Sequence, residues 1–214
     1  MPVPAVVLDI DGTLVDSNYQ HALCWYEAFR QHDVHLPLWR IHRAIGMGGD
    51  QLVSAVAGDD VEREHGDEIR AAEKTLYTAT IATISPLPGA TDFVRFLRAR
   101  GHDVVLSSSA KGDEAERYVD LLGVRDDVVG WTTSADVEKT KPEPDVVEAG
   151  LEKLGRPERA VMIGDSVFDV EAAGRAGLLT GGFGAQELLD AGAERVFASL
   201  GELRDGIGKT SLSG

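Results

Sequence analysis

The apolar run Val6-Val7-Leu8 is interrupted by Asp9, resumes at Ile10, meets Asp11-Gly12-Thr13, and resumes again at Leu14-Val15. A β-branched run of this kind predicts a buried strand, and the glycine marks the turn at its C-terminal end. Two carboxylates at that edge are costly unless a cation, a proton or hydrogen bonds compensate them. Beyond the strand, Asp16 and Ser17 are placed to cap a helix whose apolar positions Ala22, Trp25, Tyr26 and Phe29 recur at helical spacing. Pro37 opens a second helix reaching about Ile45, and Gly46-Met47-Gly48-Gly49 breaks it. Asp50 then caps a short helix carrying Leu52, Val53 and Val56, and a longer one follows with Ile69, Ala72, Leu76 and Thr80 on one face.

From Pro86-Leu87-Pro88-Gly89 onward the pattern alternates. Strands are predicted at Asp103 to Leu106, Val128 to Thr132, Ala160 to Ile163, Leu178 to Phe183 and Arg195 to Phe197. Between them come helices near 89–100 and 112–122, from Pro142 to Leu154, from Phe168 to Ala176, and near Gln186 to Ala191. That order predicts an α/β fold with a parallel sheet core wrapped by helices. Residues 1–15 and 87–214 form the expected core domain, and 16–86 an inserted all-helical cap domain. Gly181-Gly182-Phe183-Gly184 reads as a strand-end turn rather than a phosphate cradle, and the tail from Gly208 to Gly214 as disordered.

Composition narrows the function. Of 214 residues, 43% are hydrophobic and 27% charged, as in a folded globular chain. A formal charge of -15 leaves no basic face for nucleic acid or an anionic membrane. The single cysteine, Cys24, allows no internal disulfide and fits a reducing compartment. With neither an export signal nor 18 uninterrupted apolar residues, a cytoplasmic chain is expected, as monomer or homodimer.

Four polar clusters fall at predicted strand ends: Asp9 with Asp11, Ser107 to Ser109, Lys141 before Pro142, and Asp165 with Asp169. Consecutive strands of a parallel sheet point the same way, so these clusters share one edge. Carboxylates facing a lysine and a hydroxyl suit Mg²⁺, and no His or Cys pair stands at zinc-ligand spacing.

Together, DIDGT at 9–13, Ser108 after an apolar strand, Lys141-Pro142, and GDSVFD at 164–169 resemble the four motifs of the haloacid dehalogenase superfamily. The likeness is to its Rossmann-like members with a helical cap after the first strand, among them phosphoglycolate phosphatases and β-phosphoglucomutases. It implies that Asp9 is a nucleophile forming an aspartyl-phosphate, and that Asp11 acts as general acid and then base. Mg²⁺ would be held by Asp9, the backbone carbonyl of Asp11, and Asp165, with Asp169 as a further metal-site residue. Ser108, with Ser109 beside it, and the backbone near Gly12 would hold the phosphoryl group, and Lys141 would neutralise charge. His21 and Gly48 are the expected cap contributions to substrate binding.

The expected activity is therefore an Mg²⁺-dependent phosphatase acting on a small phosphorylated metabolite. A phosphosugar mutase is the alternative, but Gly49 stands where those mutases carry a cap arginine, with Arg43 as a possible substitute. A phospho-accepting receiver domain fits less well, having no cap. Loop 46–49 is expected to set specificity, with hinges near Val15 to Ser17 and Pro86 to Gly89.

Overall fold

The structure is a computed structural model that describes residues 3–178 and 181–213. Six strands form one parallel sheet: β1 (Ala5–Asp9), β2 (Val104–Ser107), β3 (Gly130–Thr132), β4 (Ala160–Gly164), β5 (Gly174–Leu178) and β6 (Arg195–Phe197), in the order β3-β2-β1-β4-β5-β6. The helices are α1 (Asn18–Gln31), α2 (Leu38–His42), α3 (Gly49–Ala57), α4 (Asp59–Thr80), α5 (Ala90–Ala99), α6 (Gly112–Leu122), α7 (Asp145–Lys153), α8 (Val167–Ala173), α9 (Ala185–Asp190) and α10 (Leu200–Gly206). None of the described helices is long and apolar enough to cross a membrane.

The pleat divides β1 between two cores. Val6 and Leu8 join Val104, Leu106, Val161 and Ile163 under α5, α6 and α10, where Phe93, Leu97, Tyr118 and Leu203 are buried. Val7 faces the other way, with Val105, Met162 and Val147 of α7. Helices α1 to α4 carry a separate cluster built wholly from residues between Ala22 and Ile69. Two crossing segments join these helices to the sheet and run side by side: Val15 bridges Pro86, Asp16 donates to the Ser85 carbonyl at 3.0 Å, and Leu87 to that of Leu14 at 2.8 Å.

Several boundaries differ from the sequence reading. The helix expected from Pro142 begins at Asp145, with Pro144 as its N-cap, and the Lys141-Pro142 peptide is cis. A proline disfavours helical geometry in the residue before it, so Pro144 keeps Glu143 out of the helix. The helix expected over 168–176 ends at Ala173, and β5 takes 174–178. Of the strand expected over 178–183, residue 178 closes β5, residues 179 and 180 lie outside the described ones, and 181–184 form no strand. Gly177 explains the weak strand signal: a Cβ there would stand 3.0 Å from Leu188 Cδ1, so close packing of α9 selects glycine where β-branched residues are the usual cue. The tail expected to be disordered instead forms a 3₁₀ turn at Ile207–Lys209 and buries Leu212 to 1% exposure. One isolated leucine gives no periodicity to read.

Candidate active site

Strand β1 delivers Asp9 to the carboxyl edge of the sheet, and the turn after β3 brings Lys141 against it. The buried Lys141 ammonium pairs with Asp9 Oδ1 and stands 2.7 Å from Asp169 Oδ1. Lys139, two residues earlier, is exposed and stands away from this pairing. Asp169, in the first turn of α8, accepts from the Ser166 amide at 3.0 Å and the Ser166 hydroxyl at 2.6 Å. Asp165 accepts from Thr13 Oγ1 at 3.0 Å and Asn18 Nδ2 at 2.9 Å. Gly12, at φ +75°, lies so close to Asn18 and Asp165 that any side chain would collide with both.

Asp9, Asp165 and Asp169 offer oxygens within 4.8 Å of one another. All three are buried, and among the described residues Lys141 is the cation paired with them, so the cluster carries more carboxylates than ammonium groups. Burial first, then Asp169, raises the Asp9 carboxyl well above the usual range, with Lys141 opposing. Burial and Asp169 push Asp165 up to about 7, against the hydrogen bonds of Asn18 and Thr13. Burial works against the charged Lys141, but Asp169 and Asp9 outweigh it and hold the ammonium above the usual lysine range. An all-oxygen donor set with surplus negative charge fits a hard divalent cation.

Asp11 faces a cavity of about 300 Å³. It accepts from the hydroxyls of Ser17 at 2.7 Å and Ser108 at 3.3 Å, and His21 Nε2 stands 3.4 Å away. Burial would raise the Asp11 carboxyl, yet His21 and Ser17 prevail and lower it. His21 projects from α1, stacks on Tyr77 at 3.7 Å, and lies 3.2 Å from Glu73 of α4 and 3.4 Å from Glu114 of α6. Burial disfavours its charge, but the bonds to Asp11, Glu114 and Glu73 raise it well above the ordinary histidine value.

The remaining expected residues divide. Ser109 and Gly48 line the cavity, and the buried Ser109 hydroxyl has no partner. The Gly48 amide donates to the Lys141 carbonyl at 3.3 Å, and a Cβ there would overlap Thr140. Of the backbone groups near Gly12 expected to hold the phosphoryl group, the Gly12 N–H itself donates to the Val15 carbonyl at 2.9 Å. Ser17 is the N-cap of α1 by position, but its hydroxyl goes to Asp11 instead. Asp50 does not cap α3, whose N-cap is Gly48; its carboxylate accepts from the Thr140 amide and hydroxyl. Arg43 lies off the cavity, bonded to Glu187 at 2.5 Å and to the Gly182 carbonyl, over the Phe183 ring.

Sequence reasoning missed Thr13 and Asn18, although both flank the DIDG stretch. It also missed Glu73 and Glu114, whose helical positions carry no motif and meet His21 only through packing.

A family description for haloacid dehalogenase-like hydrolases matches residues 3–177. Phosphoglycolate phosphatase of Rhodospirillum rubrum is 30% identical, with 95% of this chain and 90% of that protein covered. Pyrophosphatase PpaX of Bacillus velezensis is 28% identical, covering 84% and 82%. Among solved structures, a hydrolase from Pseudomonas syringae superposes with a TM-score of 0.90 at 30% identity, covering 96% of this chain and 98% of that one.

Proposed function

Because the chain belongs to the haloacid dehalogenase-like hydrolases and is a phosphatase, we propose that it hydrolyses a small phosphate monoester through an aspartyl-phosphate on Asp9. Asp9 attacks phosphorus while the bond to the leaving oxygen breaks, and Asp11 gives that oxygen a proton. Water then attacks the aspartyl-phosphate, Asp11 takes its proton, and Asp9 and inorganic phosphate are released. His21 Nε2, 3.4 Å from Asp11 Oδ1, is placed to exchange that proton with Asp11. Ser108, and Ser109 with its unpartnered hydroxyl, hold phosphoryl oxygens, and Lys141 balances charge between them and Asp9.

Asp9, Asp165 and Asp169, with the Asp11 carbonyl, are the residues that would hold Mg²⁺. Bound there, the ion would keep Asp9 ionised and offset phosphoryl charge. Residues 16–86 act as a cap over a core of 1–15 and 87–214, and loop 46–49 screens the leaving group.

The observation that carries this reading is the unequal setting of two carboxylates two residues apart. Asp9 faces Lys141 inside the acidic cluster, whereas Asp11 faces His21 and the cavity. The position of Arg43 favours water over a second phosphorylated sugar as acceptor, because its guanidinium is committed to Glu187 and Gly182. Arg70 lines the cavity beside Gly49 but is held by Glu62, Asp67 and the Gly49 carbonyl.

The test is phosphate release from 2-phosphoglycolate, sugar phosphates, pyrophosphate and aryl phosphates, with Mg²⁺ or EDTA. Metal-dependent turnover of at least one ester is expected, and Asp9→Asn should abolish it with the fold intact. Substantial turnover by Asp9→Asn, or none by the native chain on any ester, would overturn the reading.

A further inference from the structure

Outside the cavity, His32, His65 and Glu68 present ligand atoms that all lie within 4.8 Å of one another. His32 follows the last turn of α1, and its amide donates to the Phe29 carbonyl at 3.1 Å. His65 and Glu68 stand three residues apart on α4, one turn along the same face. The two imidazoles are 5.7 Å apart, centre to centre, and His65 Nδ1 lies 3.9 Å from Glu68 Oε2. Phe29 and Ile69, adjacent on the same two helices, are fully buried in one cluster, so the backbones carrying the three side chains are fixed relative to each other.

We propose that His32, His65 and Glu68 form a surface site for a borderline divalent transition ion such as Zn²⁺, which joins the end of α1 to α4. Two imidazoles and a carboxylate form a nitrogen-rich donor set that prefers Zn²⁺, Co²⁺ or Ni²⁺ to Mg²⁺, unlike the all-oxygen cluster at the sheet edge. Donors around a tetrahedral Zn²⁺ stand about 3.4 Å apart. The three groups therefore close on an ion by small side-chain rotations, which their exposure permits: the His65 and Glu68 side chains are 43% and 63% accessible. Water would complete the coordination. Sequence spacing conceals the site, because the two histidines lie in different helices and only packing brings them together.

The experiment is Zn²⁺ titration by calorimetry, and by thermal unfolding, on the untagged full chain with Mg²⁺ in excess. The native chain should bind Zn²⁺ and melt at higher temperature with it. His32→Ala and His65→Ala should each weaken this binding by about tenfold or more, and Glu68→Gln should weaken it measurably. None of the three should alter the metal-free melt, since alanine and glutamine are good helix formers and the side chains are not core. Absence of Zn²⁺ binding by the native chain would overturn the proposal. So would unchanged affinity and stoichiometry in both histidine variants, which would place the ion in the cavity.

Discussion

Lys141→Met keeps the length of a buried side chain and removes its charge. The native ammonium is 2% exposed, and its partners Asp9 and Asp169 are 6% and 2% exposed, so solvent cannot take over its role. Removing one partner of a buried ion pair costs about 3–5 kcal/mol, chiefly because uncompensated charge stays behind. Here three carboxylates within 4.8 Å of one another would be left without a cation. For a chain of this size each kcal/mol moves Tm by about 2–4 °C, so the metal-free variant should melt about 6–20 °C below the native protein. Saturating Mg²⁺ restores positive charge to the same cluster and should recover at least half of the loss. Thermal unfolding by circular dichroism, in EDTA and in Mg²⁺, measures both. Equal losses in the two buffers, or a fall under about 2 °C in EDTA, would refute the charge argument. Turnover should fall by about 10²–10³ even with Mg²⁺, since the ammonium also faces the developing phosphoryl charge.

Two further outcomes follow from the site. In EDTA, stability should decline as pH rises from about 4 to about 7: the unfolded chain releases the Asp165 proton near 3.8 and the folded one only near 7, so the folded state binds more protons across that window. Mg²⁺ should flatten the slope, and a metal-free Tm that stays level or rises over this range contradicts the raised Asp165 carboxyl. Gly48→Ala should destabilise by about 1–3 kcal/mol and alter KM more than kcat, because the new Cβ displaces Thr140 and with it the loop. Adding Thr140→Gly should restore part of the loss in denaturant titrations, and strict additivity of the two changes would refute the clash.

The parts of this molecule legible in its sequence are those where one local stretch carries the cause. Strand β1 is a contiguous apolar run, and Asp9, Ser108 and Asp165 each stand at a strand end, so parallel topology assembles them; Lys141 lies nine residues beyond β3 and reaches Asp9 through the loop before α7. What escaped depends on contacts between distant stretches. Gly177 carries no strand signal until Leu188 packs on it, Leu212 looks isolated until the core receives it, and Glu114 has no visible function until α1 brings His21 beside it. Asp50 and Ser17 are a subtler case. Both are good capping residues at helix starts, but a stronger partner, Thr140 or Asp11, diverts each side chain.

The central position of β1 also sets the order in which the molecule can assemble. Leu8 pairs with Leu106 on one side and Ile163 on the other, both encoded far downstream. At ribosomal speeds of about 5–20 residues per second, the first edge of β1 waits roughly 5–20 s for its neighbour and the second roughly 8–30 s. Helices α1 to α4 meanwhile possess a complete apolar cluster of their own between Ala22 and Ile69. The cluster between Ala22 and Ile69 can therefore close during synthesis before either edge of β1 has its neighbour.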